Sequence, residues 1–209
     1  TLWTSRRALS VSKTELSLSN QNEGEERYGS SVVSRGYDVL LCGDNVDEFC
    51  LLSIGSYDDK EMRNVASGED LGLETEEEKE EVAKKREENS SLFEAMTEAL
   101  PDDITNVTAT TRLNDAACCI VADGPVSLGM EKYFATIPAA AGERPEAKHV
   151  LELNTEHPVF ATLQAVQEAG DTEKIAQYAN LLYNQARLAE GLEIADSAAF
   201  NEAICALMK

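Results

Sequence analysis

The groups that could do chemistry in this 209-residue chain are two histidines, five cysteines and 39 acidic side chains. Metal binding needs His, Cys or carboxylate ligands in short-range pairs, and covalent catalysis needs a nucleophile beside an oriented base. His149 and His157 have no second His, Cys or carboxylate at ligand spacing. Both therefore read as structural residues, and His157, just before Pro158, marks the start of a helix. A phosphate-cradling GxxxxGK[ST], a dinucleotide GxGxxG and a nucleophile-elbow GxSxG are all missing. An acidic hydrolase would lack its nucleophile–base pair. No catalytic residue, cofactor or metal is assigned, and the chain is not expected to be an enzyme by itself. The cysteines are odd in number and form no CxxC pair. Cys118 and Cys119 are adjacent, so on a strand they would face opposite ways, as small apolar core residues in a reducing cytoplasm.

The chemistry left is that of apolar surface. Val126, Met130, Tyr133 and Phe134 fall at i, i+4, i+7 and i+8, one face of a helix. Methionine is flexible and polarisable, and with two aromatics it suits a surface that binds exposed apolar polypeptide. The same spacing also suits a helix packed into its own core.

A second apolar pattern closes the chain. Ile175, Ala179, Leu182, Ala186 and Ala189 alternate steps of four and three, with Leu181 and Leu188 widening the stripe. Gly191 sits where a C-terminal cap would end that helix. A shorter helix from about Ser197 to Met208 carries Phe200, Ile204 and Leu207, with Asp196 or Ser197 as its N-cap. Two such helices are half of a four-helix bundle. The other half is either the rest of this chain or a second copy.

These elements must be placed by what precedes them. Gly36 to Leu41 reads as a buried strand, and Val46, Phe49, Cys50 and Ile54 as a helix ended by Gly55. Met62 to Ala66 is a further short strand. Glu74 to Asn89 is a charged helix, a solvated face expected to run on through Phe93, Met96 and Leu100 until Pro101 stops it. Strands follow at Ile104 to Leu113, Cys118 to Ala122 and His149 to Leu153, then a helix from about His157 to Gln167. Thr1 to Ser34 shows little periodicity beyond Val11, Leu16 and Leu18 and is expected to be poorly ordered. A formal charge of −21 repels nucleic acid and anionic membranes. No apolar run approaches the roughly 18 residues a membrane span needs. The first residue is Thr1, so the chain is expected to be a piece of something longer.

In order, GYDVLLCGDNVDEFCLLSIGSYDDKEMRNV, an acidic helix, VTATTRLNDAACCIVADG, MEKYF, KHVLELNTEHPV and LLYNQARLAEGLEIADSAAF resemble the ninety-kilodalton heat-shock protein chaperones, the bacterial form among them. The resemblance runs from about Gly36 to Lys209. It implies an α+β chain: residues 1–34 divergent, 35–73 the α/β end of a middle domain, and 74–209 a C-terminal dimerisation domain. That last domain would hold a three-stranded sheet and a terminal helix pair forming an intersubunit four-helix bundle. Val126, Met130, Tyr133 and Phe134 would be the client-contacting helix. Ile175, Leu181, Leu182, Leu188, Phe200, Ile204 and Leu207 would be the dimer interface. Partners would be a second copy and unfolded or partly folded clients in the cytoplasm. ATP and magnesium would belong to an upstream domain outside this chain. The ending Met208-Lys209, without a Met-Glu-Glu-Val-Asp tail, predicts no tail-mediated tetratricopeptide co-chaperone. The competing expectation is a monomeric acidic adaptor whose terminal helices pack on its own sheet.

Overall fold

The computed structural model describes residues 2–5, 38–41, 47–57, 60–64, 75–111, 113–124, 126–136 and 147–208. The fold is α+β. Its first sheet contains β1 (Leu2–Ser5), β2 (Asp38–Leu41), β3 (Ser56–Tyr57) and β4 (Lys60–Asn64), in the order β2-β1-β4-β3 and antiparallel throughout. Helix α1 (Asp47–Ile54) follows β2 and ends at Gly55, whose φ of 67° only glycine adopts cheaply. The beginning of the chain corrects an expectation. Leu2–Ser5 is an inner strand hydrogen-bonded on both edges, because an apolar, aromatic and β-branched run finds two partners brought to it by later sequence. Val11, Leu16 and Leu18 lie outside the described residues.

The charged helix is also not continuous. Helix α2 (Glu76–Glu88) opens on a capping box, in which Thr75 Oγ1 accepts from Glu78 N and Glu78 Oε2 accepts from Thr75 N. It breaks at Asn89, and helix α3 (Ser90–Ala99) starts at once. Asn89 leaves the helical backbone range (φ −114°, ψ 18°). Its side-chain amide takes over a backbone role, donating to Lys85 O and accepting from Gln164 Nε2. Charge composition hid this break. Leu100 is extended, as a residue before proline prefers.

The second sheet holds β5 (Ile104–Thr110), β6 (Cys118–Asp123) and β7 (Lys148–Asn154) in the order β5-β7-β6. Strand β7 runs parallel to β5 and antiparallel to β6. Helix α4 (Leu128–Thr136) lies between β6 and β7 in sequence. Helices α5 (Pro158–Glu168), α6 (Thr172–Ala189) and α7 (Ser197–Ala206) complete the chain. His157 caps α5 by accepting Val159 N at Nδ1. Asp196, rather than Ser197, caps α7. Gly191 closes α6 in a Schellman motif, with Leu192 N bonded to Arg187 O and Gly191 N to Leu188 O.

Register dictates the core. Leu151 of β7 lies opposite Val107 and Ile120, and Leu153 opposite Ala109 and Cys118. This face meets Met96 of α3, Leu163 of α5, and Ile175, Ala179 and Leu182 of α6. Thr108 and Thr110, on the other face of β5, are buried too. Its outer edge is covered: Arg86 of α2 donates to Ala109 O, and Val107 N donates to Thr97 Oγ1 of α3. Leu151→Ala should cost roughly 2–5 kcal/mol of stability, as for a large-to-small change in a close-packed core. Urea denaturation measures it, and a loss under about 1 kcal/mol would remove β7 from the core.

Candidate functional site

Helix α4 starts later than its apolar spacing suggested. Ser127 Oγ accepts Met130 N, so the helix begins at Leu128 and leaves Val126 ahead of it. Val126 therefore does not share a helical face with Met130. Leu128, missed by the sequence reading, is the buried anchor of α4. At about 100° per residue, Met130 lies on the side away from Leu128, and Tyr133 and Phe134 return to the side of Met130. All three are half-buried. Tyr133 stands edge-on to Phe49 of α1 with ring centres 5.5 Å apart, and 6.0 Å from Phe134.

Glu131, one helical turn after Leu128, points the other way, into a polar network. His149 of β7 is 1% exposed, and both ring nitrogens meet carboxylates: Nε2 lies 2.8 Å from Glu131 Oε2, and Nδ1 3.1 Å from Asp103 Oδ2. Asp103, in the turn before β5, also accepts Tyr183 OH at 2.5 Å and Arg187 Nη1 at 3.4 Å, both from α6. Arg187 Nη1 donates to Tyr183 OH as well, and its Nε donates to Glu193 O. Two carboxylates thus face one imidazole and one guanidinium.

The charges follow from that arrangement. Burial alone would lower the pKa of His149, but its hydrogen bonds and attraction to Asp103 and Glu131 outweigh this and raise it. Burial would raise Asp103, yet hydrogen bonds from His149 and Tyr183 and the charges of His149 and Arg187 hold it at about 2. Burial and the bond to Asp103 push the Tyr183 phenol up. When protonated, the ring can donate from both nitrogens at once, one to each carboxylate. The two buried cysteines bond elsewhere: Cys118 Sγ contacts Leu182 O, and Cys119 Sγ contacts Glu152 Oε2. Among the described residues no cluster of three His, Cys, Asp or Glu is arranged to hold a metal. The sequence reading missed this network because its partners lie 18 to 84 residues apart. Tyr183 and Arg187, at i and i+4, were its one local signal.

The expected intersubunit residues divide. Ile175 and Leu182 enter the chain's own core, which corrects their assignment to an open interface: the seam of four- and three-residue steps packs on β6. Leu181, Phe200 and Ile204 are half-buried, while Leu188 and Leu207 are 53% and 56% exposed. Helix α7 has no buried residue. Between α6, α7 and the turn before β5 lies a crevice of about 600 Å³. Leu181 and Phe200 line it together with Asp103, His149 and Arg187.

The Hsp90 protein family matches residues 19–209. The chain belongs to the Hsp90 protein family. It is 44% identical over 178 residues to the chaperone protein HtpG of Clostridium perfringens, covering 85% of this chain and 27% of that protein. The HtpG chaperones of Oceanobacillus iheyensis and Bacillus subtilis are 43% and 40% identical over 177 residues, each covering 85% of this chain and 28% of theirs. The chain thus spans just over a quarter of the length of these relatives. The Hsp90 match begins at residue 19, upstream of the expected start at Gly36. As an Hsp90 protein this chain holds its network on α4, β7 and α6, beside the apolar faces at issue.

The network gives stability a pH dependence with a definite sign. Because His149 is raised above 6.5, its contribution is full below that value and is lost as pH climbs through its folded pKa. Asp103, lowered from 3.8 to about 2, contributes above 3.8 and loses that as pH falls toward its folded value. Melting temperature should therefore fall as pH rises above about 6.5 in the parent chain and fall less in His149→Gln. Parallel curves for the two would mean that the imidazolium contributes nothing.

Proposed function

We propose that this chain is the dimerisation and client-contacting part of an ATP-driven Hsp90-type chaperone. Residues 35–73 would end its middle domain and residues 74–209 would form its C-terminal domain. The observation that carries this reading is the two-sided character of the terminal helices. Helix α6 buries Ile175, Ala179 and Leu182 on its own sheet, while Leu188 and Leu207 stay exposed and Phe200 and Ile204 only half-buried. Leaving such a face uncovered in water is unfavourable, and a two-fold copy with the same face would cover it. The Met130, Tyr133 and Phe134 face of α4 would contact unfolded or partly folded polypeptide. Two such faces on one dimer raise the effective concentration of a weak binding site. ATP and magnesium would act in parts of the parent protein outside this chain, in the cytoplasm.

One observation favours the monomeric alternative: α6 does pack on its own sheet. The two readings part on α7, where no residue is buried.

Light scattering across a hundredfold dilution should give a mass near twice 22.8 kDa for this chain. Leu188→Glu with Leu207→Glu should return it to a single 22.8 kDa chain without unfolding. A doubled mass in that variant, or a monomer in the parent, would remove these helices from the interface. For the other face, Met130→Ser with Phe134→Ser should weaken suppression of aggregation several-fold while stability falls by no more than about 1 kcal/mol. A loss of roughly 3 kcal/mol or more would make the pair core instead.

A further inference from the structure

We propose that His149 is a positioning residue that couples the seating of α4 to the seating of α6. It stands on β7, which is hydrogen-bonded on both sides, and its ring nitrogens hold two carboxylates that belong to different elements. Glu131 is the hold on α4, and Asp103, shared with Tyr183 and Arg187, is the hold on α6. Among the described residues, helix α4 has few other attachments: Leu128 is its buried residue, and Tyr133 rests on Phe49. Losing the Glu131 bond therefore changes how α4 sits. Freeing Tyr183 from Asp103 changes how firmly Asp103 orients the imidazole, and with it Glu131. The groups facing His149 are Glu131 of α4, Asp103 of the turn, and behind Asp103 the Tyr183 and Arg187 of α6.

The functional meaning rests on the reading of α4 as a client face and of α6 and α7 as the dimer face. On that reading, polypeptide bound at Met130 and Phe134 changes the affinity of the two chains for each other, and by linkage dimerisation changes polypeptide affinity by the same factor.

The test is amide hydrogen exchange on the whole chain, comparing parent, Glu131→Gln, Tyr183→Phe and the double variant. Neither single substitution removes core volume. Tyr183→Phe, which loses a hydrogen bond to a charged group, should speed exchange in residues 128–136 roughly tenfold, and Glu131→Gln, which keeps an acceptor but removes the charge facing His149, should do the same in residues 180–187. The double variant should show less than the sum of the two. Helix α2 joins none of these bonds and is the internal control. Exchange that rises only in the helix carrying each substitution, or equally in α2, would overturn the proposal. Binding of reduced, carboxymethylated α-lactalbumin is measured alongside. If the parent chain does not bind it, the client reading fails, while the exchange pattern still decides the coupling.

Discussion

Strand β7 is bound on both edges, parallel to β5 and antiparallel to β6, and this double pairing builds the face on which α3, α5 and α6 pack. Because side chains alternate along a strand, it places Leu151 and Leu153 under α3, α5 and α6 while aiming His149 at the end of the same face. A one-residue slip would carry the leucines and His149 to the other side and turn Glu152 and Asn154 into the apolar core. Short local caps then fix the helices that lie on it. His157 starts α5, Asp171 starts α6, and Gly191 turns the chain toward α7.

The buried polar network is a consequence of that placement. A lone imidazole in a nearly closed site is costly, and so is a lone carboxylate. Here two carboxylates face one imidazole, whose pKa they raise, and one guanidinium, and each is hydrogen-bonded. Removing any one member leaves the others with an uncompensated charge, which is why such a network acts as a unit. It also explains how α4, with a single buried anchor, keeps one orientation and a half-open apolar face.

Charge and apolar area act against each other at the terminal helices. A chain of net charge −21 repels its own copy, but at physiological salt that repulsion is screened beyond about 8 Å. Apolar contact between Leu188, Phe200, Ile204 and Leu207 would act at closer range than that. The surface charge then disfavours non-specific association, while the exposed Leu188 and Leu207 would stay available for the proposed pairing.

Local spacing by itself determined the three strands of the second sheet, the apolar seam of α6, and the proline, glycine and aspartate signals that start and stop helices. Those features rest on interactions within a few residues, so they are written in consecutive letters. The break at Asn89 was less legible because it depends on Gln164, 75 residues away. The tertiary structure alone decided which flank of the terminal stripe is buried, moving Ile175 and Leu182 inward and leaving Leu188 and Leu207 outside. It alone made Leu2–Ser5 an inner strand and joined His149 to Asp103, Glu131, Tyr183 and Arg187. The reason is common to all of these: periodicity reports that a face is apolar, or that a residue can titrate, but not what the rest of the chain folds against it.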